Sequence, residues 1–208
     1  MSNLVAEHVS WEPFLKYGER KYYEKGSVVY KEKDSSCNGF FYLEEGLVKI
    51  SGTNHLEEER ILDIVCNGKP FGEQAVDEEK YFSTAIAIKN SIIYYFPDKV
   101  NSMLLEKDDR YRMLIYNSLT EKLKILSDNV LTASLPSEKL LARKLLTLQE
   151  IFLSDQIPFT QQELSQYTNL NRVTVYNIFK KWGNDVISLR NRSITIKNIG
   201  VLEKIAAY

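Results

Sequence analysis

Between positions 160 and 197 six cations, Arg172, Lys180, Lys181, Arg190, Arg192 and Lys197, stand against two anions, Glu163 and Asp185, a net charge of +4. Positions 1–105 carry 12 Lys/Arg against 17 Asp/Glu, net −5, so the −1 of the whole chain hides two regions of opposite sign. Clustered lysine and arginine can neutralise the phosphates of a nucleic acid and release their counterions, which an acidic surface cannot. Thr160, Gln161, Gln162, Thr174, Tyr176 and Asn177 place hydroxyl and amide groups among these cations, and such groups bond phosphate oxygens and base edges. Other chemistry finds no foothold. HExxH, GxSxG and Walker-type motifs are absent, and neither His8 nor His55 stands beside a plausible nucleophile, so no enzymatic activity is expected. Cys37 and Cys66 lack the CxxC or Cys/His spacing of a zinc site and are too few for a disulfide framework; reduced thiols and no bound metal are expected.

The cationic stretch has the punctuation of two short helices. Thr160 and Glu163 have the spacing of a capping box, and the helix they open is expected to end near Tyr167. Asn169 tolerates the left-handed conformation that a tight interhelical turn needs. Asn171 then caps a second helix in which Val175, Ile178 and Phe179 face a core, leaving Arg172, Val173, Tyr176, Asn177 and Lys180 on the other faces. Two helices across a four-residue turn make a helix-turn-helix over 160–182. Beyond Gly183, positions 186–189 and 193–197 read as two strands around Arg190, Asn191 and Arg192, a basic wing whose arginines suit phosphates.

The preceding chain must position this reader. Seven of nine glycines fall at or before position 72, separating segments rich in Val, Ile, Tyr and Phe at 27–31, 39–43, 47–51, 60–65, 84–88 and 92–96 that read as strands. Turns at 44–46 and 52–54 are expected to close tight hairpins, and the whole to form an antiparallel β-roll. After Pro97 the period changes. Tyr116, Leu119, Leu123, Leu126, Val130 and Ala133 recur at alternating steps of three and four, the seam of a coiled coil, on a helix from about 109 to 133. A homodimer is expected from it, while Met113, Leu114, Ile115 and Leu131 lie off the seam. Pro136 interrupts the helix, Ser137 is placed to cap the next one, and Leu141, Leu145, Leu148 and Phe152 form that helix's apolar stripe. The fold class is therefore α+β, with a β-roll effector domain at 1–105, a dimerisation helix at 106–134 and a winged helix-turn-helix at 135–208. Composition, 44% hydrophobic and 26% charged, is that of a globular chain. With no apolar run of 18 residues and no basic-then-apolar order at 1–10, a cytoplasmic location is expected.

This order of parts resembles the cyclic-AMP receptor and fumarate-nitrate regulator (Crp/Fnr) family. The likeness spans the roll glycines, the Gly72-Glu73 pair after Pro70-Phe71, the long helix, and Thr160-Gln161-Gln162-Glu163-Leu164 with Arg172-Val173-Thr174-Val175, the most specific stretch. It implies a DNA-binding transcription regulator, a homodimer on a palindromic site, an effector bound to the roll and RNA polymerase as a partner. It further implies that Arg172 pairs with guanine O6 and N7; Val173 replaces a family glutamate and suits a thymine methyl, and Asn177 replaces a family arginine and suits adenine. Cyclic-nucleotide members bind ribose with the Gly-Glu pair and phosphate with an Arg-Ser or Arg-Thr pair about ten residues later; here that place reads Ser83-Thr84, which argues against cyclic AMP. Two cysteines cannot supply the four ligands of the family's iron-sulfur cluster, and His8 and His55 do not suit haem. The candidate pocket comprises Gly72, Glu73, Ser83, Thr84 and Tyr116, its small-molecule effector left open, with reversible oxidation of Cys37 and Cys66 as the redox alternative. The rival reading is a ligand-binding module that acts on a protein partner.

Overall fold

A computed structural model of the chain describes residues 10–73 and 79–207. The run Phe40-Phe41-Tyr42-Leu43 shows why the first part folds as it does. Successive side chains of a strand point to opposite faces. Phe40 and Tyr42 accordingly enter one apolar cluster with Trp11, Phe14, Phe96, Tyr111 and Leu114, while Phe41 and Leu43 enter another with Tyr30, Val48, Ile50, Phe71 and Ile93. This strand, β3 (Gly39–Glu45), is buried on both faces from Gly39 to Leu43, where its sequence is continuously apolar rather than alternating, and it emerges at Glu44 and Glu45.

β3 belongs to a sheet of order β1-β8-β3-β6, with β1 (Glu19–Tyr23), β6 (Lys69–Phe71) and β8 (Ser91–Pro97). A second sheet has the order β2-β7-β4-β5, with β2 (Val28–Tyr30), β4 (Val48–Thr53), β5 (Glu59–Val65) and β7 (Thr84–Ala87). The registered pairs run antiparallel. The Phe41 cluster draws on both sheets, and the Trp11 cluster joins the Phe40 face of β3 to a short 3-10 helix (Glu12–Tyr17), α1 (Asp98–Lys107) and the start of α2 (Asp109–Thr132). Tyr111 of α2 is fully buried there, its hydroxyl donating to Asn101 Oδ1 at 3.1 Å, and burial pushes its phenol up.

All six strands expected in this region form; β1, β6 and α1 were not anticipated. β1 is mostly exposed and lies at a sheet edge, and β6 is a three-residue edge strand containing Pro70, so neither carries a period-two signal. Both expected hairpin turns are corrected. Positions 44–46 link β3 to β4, which lie in different sheets. Gly46 makes the crossing at φ +116, where a Cβ would lie 2.1 Å from Ser91 Oγ. The second reversal is displaced to 54–58, where Asn54 Oδ1 accepts from the Leu56 and Glu58 amides at 2.9 and 3.0 Å, an Asx-type turn.

The chain divides into two compact units, 1–52 with 63–126 and 53–62 with 127–208, so that one boundary falls within α2. After the break at Pro136 comes α3 (Ser137–Phe152). Ser137 does not cap it: the N-cap position is Pro136, and no side-chain hydrogen bond closes this end. The unit continues with β9 (Gln156–Ile157), α4 (Gln161–Thr168), α5 (Arg172–Trp182), β10 (Ile187–Arg190), β11 (Ser193–Ile196) and α6 (Ile199–Ala207), the strands ordered β10-β11-β9. Leu141, Leu145, Leu148, Ile157, Phe159, Leu164, Val175, Ile194 and Leu202 form its buried interior. Among the described residues, no helix is long and apolar enough to cross a membrane.

Candidate nucleic-acid interface

The helix pair α4–α5 is set by side chains folding back on the backbone. Thr160 Oγ1 accepts from the Glu163 amide at 3.1 Å while Glu163 Oε2 accepts from the Thr160 amide at 2.8 Å, a complete capping box that satisfies two otherwise orphaned groups. The helix stops at Asn169, in the left-handed conformation at φ 58. Ser165 Oγ donates to the Leu170 carbonyl at 2.6 Å inside the turn, and Asn171 Oδ1 accepts from the Val173 amide at 2.8 Å to open α5. Val175, Ile178, Phe179 and Trp182 are buried, so Arg172, Val173, Tyr176, Asn177 and Lys180 are left exposed and Thr174 half-buried.

β10 and β11 pair from Ile187↔Ile196 to Arg190↔Ser193, so Asn191 and Arg192 alone make the reversal. Their φ values, 49 and 60, are those of a type I′ turn. A cleft of about 490 Å³ opens between this wing and the helix pair, with Thr160, Gln161, Gln162 and Arg172 on one wall and positions 189–193 on the other. The first amides of α4 face no intrahelical acceptor, and a helix N-terminus beside guanidinium groups attracts an anion such as a phosphate.

Two residues not anticipated from the sequence hold this reader in place. Glu138 of α3 accepts from Lys181 Nζ at 2.6 Å and from Trp182 Nε1 at 2.7 Å, fixing the end of α5, and these two partners, Lys181 foremost, hold its carboxyl below the usual range. Lys144 of α3 donates to Asn129 Oδ1 of α2 at 2.6 Å and lies 5.6 Å from the centre of the Tyr167 ring of α4. Both are polar residues of α3, a helix whose sequence advertises only an apolar stripe.

In the roll, Gly72 takes φ +78, and a Cβ there would meet Phe41 and Tyr30 at 3.1 and 3.2 Å. Glu73 accepts from Ser118 Oγ at 3.3 Å and pairs with Lys122, whose ammonium also donates to the Pro70 carbonyl at 3.1 Å. Ser83 is buried, and Thr84 Oγ1 accepts from the Glu32 amide at 3.0 Å. Burial raises Asp63, with the charge of Lys122 opposing and that of Glu73 adding; burial also pushes Tyr30 up to about 12. The carboxylate is thus engaged by a lysine of α2, and the sequence carries no arginine between Arg60 and Arg110. Tyr116, expected in the same pocket, is 65% exposed in the single chain, and the α2 groups that bond Glu73 are Ser118 and Lys122. Their signal in the sequence was weak, one serine and one lysine on a helix read for its seam.

Along α2, Leu119, Leu123, Leu126 and Val130 stand exposed with Tyr116, Leu123 by 64% and Val130 by 74%, and Ala133 just beyond the helix is exposed too. Met113, Ile125 and Leu131 are exposed too, off the seam. Both thiols are free: Cys37 Sγ lies 2.6 Å from the Tyr81 hydroxyl, and burial raises Cys66. Among the described residues no group of three or more His, Cys, Asp or Glu could hold a metal; His55 is exposed, and His8 lies outside the described residues.

Residues 20–108 match the family model of the cyclic nucleotide-binding domain, and residues 141–205 that of the Crp-like helix-turn-helix domain. No curated protein matches the chain significantly by sequence. Solved structures match its fold. The c-di-GMP responsive global regulator CLP of Xanthomonas campestris is 17% identical, with a TM-score of 0.78 over 90% of this chain and 97% of that one. A CRP-family transcriptional regulator from Thermus thermophilus is 19% identical, also at 0.78 over 90% and 97%. FixK2 from Bradyrhizobium japonicum is 14% identical, at 0.73 over 92% and 98%. With both of its characteristic domains matched in sequence and their order repeated in these folds, the chain belongs to the Crp/Fnr family of DNA-binding transcription regulators, with a cyclic-nucleotide-binding-like sensing domain.

Proposed function

We propose that this regulator binds a palindromic DNA site as a homodimer in the cytoplasm and is switched by a small molecule at the roll, one other than cyclic AMP. The observation that carries the reading is that α5 exposes Arg172, Val173, Tyr176 and Asn177, with Arg172 lining a cleft walled by the α4 N-terminus and the basic wing. In this assignment Arg172 pairs with guanine O6 and N7, Val173 meets a thymine methyl and Asn177 reads adenine, while Thr174 and Tyr176 flank them. Thr160, Gln161, Gln162, Lys180 and Arg190 position the protein on the phosphate backbone, and Arg192 meets the DNA from the tip of the wing. Tyr116, Leu119, Leu123, Leu126, Val130 and Ala133 form the dimer seam, since an exposed apolar stripe at heptad spacing is covered by a second helix of the same kind.

The effector site is assigned to Gly72, Glu73, Ser83 and Thr84, with Lys122 as the group through which occupancy reaches α2. Without an arginine there, a cyclic phosphate would be desolvated with no bidentate partner. RNA polymerase is the assigned protein partner.

Selection of duplexes from a random pool, with and without cell extract, tests the reading. A palindrome should emerge, bound with a steep negative dependence on log salt, and extract should change the affinity. No enriched site and no salt dependence would instead favour a module that docks on a protein.

A further inference from the structure

We infer that Arg192 reads the minor groove beside each half-site and selects A·T-rich flanks. The inference rests on the proposed docking of α5 in the major groove and extends it to positions that α5 does not touch. In B-DNA one sugar-phosphate strand separates a major groove from the adjoining minor groove. With α5 in the major groove, the strand bounding it lies in the cleft, because that cleft has Arg172 on one wall and the wing on the other. The wing tip therefore falls across that strand, at the minor groove.

The tip itself is built for an arginine rather than merely for a turn. Asn191 and Arg192 both take positive φ, and at the second position of a type I′ turn glycine is the residue of least cost. Here a long cation is kept at that strained position. Among the described residues no ion pair holds Arg190 or Arg192, and both are exposed. Arg190 ends β10 opposite Ser193, whose Oγ donates to its carbonyl at 2.7 Å; both arginines line the cleft, Arg190 at the base of the tip and Arg192 at its apex as the second of the two turn residues. A guanidinium suits a narrow A·T-rich minor groove, where the negative potential is strongest and no guanine N2 amine projects.

The test places one selected half-site palindrome between A·T, G·C or inosine·C flanks and measures affinity by fluorescence anisotropy. Inosine removes only the minor-groove amine and leaves the major-groove edge of guanine intact. The wild type should bind A·T and inosine·C flanks alike, and roughly fivefold or more tighter than G·C flanks. Arg192→Gly should keep the turn, melt no lower than the wild type, select the same half-site and bind all three flanks equally. Equal binding of the three by the wild type, inosine·C behaving as G·C does, or a flank preference that survives Arg192→Gly would overturn the inference. A wild type that selects no half-site at all would instead overturn the DNA reading beneath it.

Discussion

Arg172 and Lys180 share α5 and should fail in different ways. Arg172 begins the helix at the cleft, whereas Lys180 lies two turns on, a point charge with no planar fork to match a base edge. Arg172→Ala should cost about 1–3 kcal/mol on the selected duplex and relax one base pair, while Lys180→Ala should weaken all sequences alike and lower the salt slope by about one. Anisotropy titrations on cognate and random duplexes at several salt concentrations check both; equal losses on the two duplexes for Arg172→Ala would remove its reading role. Glu138 gives a pH signature. Its folded carboxyl is held below the ordinary value of 4.5 by Lys181 and Trp182, so its contribution is present above that value and fades as pH falls through the lower folded value. Thermal melts should therefore show Glu138→Gln less stable than the wild type at neutral pH, by under about 1 kcal/mol, with the gap closing below pH 4.5. Arg172 could be singled out from sequence because chemistry and motif coincide there. Glu138, Ser118 and Lys122 could not, since their roles depend on partners 44, 45 and 49 positions away.

Helices with one clear period were readable in advance, and elements shaped by neighbours were not. The capping box at Thr160, the left-handed Asn169 and the Asn171 cap are local arrangements within five residues, and each formed as the spacing predicts. β1, β6, β9 and α6 lacked such signals: an exposed edge, a proline-bearing triplet, a two-residue strand and a nine-residue C-terminal helix take their form from what they pack against. The seam of α2 yields the sharpest test at this level. Leu123→Glu places a charge in the middle of an exposed apolar stripe that has no other cover in a monomer. Sedimentation should show a dimer becoming a monomer at micromolar concentration with helicity by circular dichroism retained, and affinity for the full palindrome falling toward that of one half-site. A Leu123→Glu chain that still sediments as a dimer would move the interface elsewhere.

Because two recognition helices related by a two-fold axis must enter successive major grooves on one face of the duplex, the selected site should be a palindrome with half-site centres about 10–10.5 base pairs apart. Spacing variants with two added base pairs should bind markedly more weakly. Millimolar cyclic AMP should leave both the melting temperature and DNA affinity unchanged, because Glu73 already has Lys122 as counter-ion and Ser83 and Thr84 bring no cation. A rise in melting temperature would return the nucleotide to the pocket. The opposed charges of 1–105 and 160–197, and the succession of strands, long helix and winged helix-turn-helix, were determined by the sequence alone, because charge, local capping and hydrophobic period need no distant partner. Only the tertiary structure decided that the turn at Gly46 crosses between sheets, that β3 is covered on both faces, that Glu73 pairs with Lys122 while Tyr116 stays on the exposed seam, and that wing and helix pair enclose one cleft. Each of these is a meeting of residues far apart in the chain, set by which surfaces bury one another and invisible to any pattern read along it.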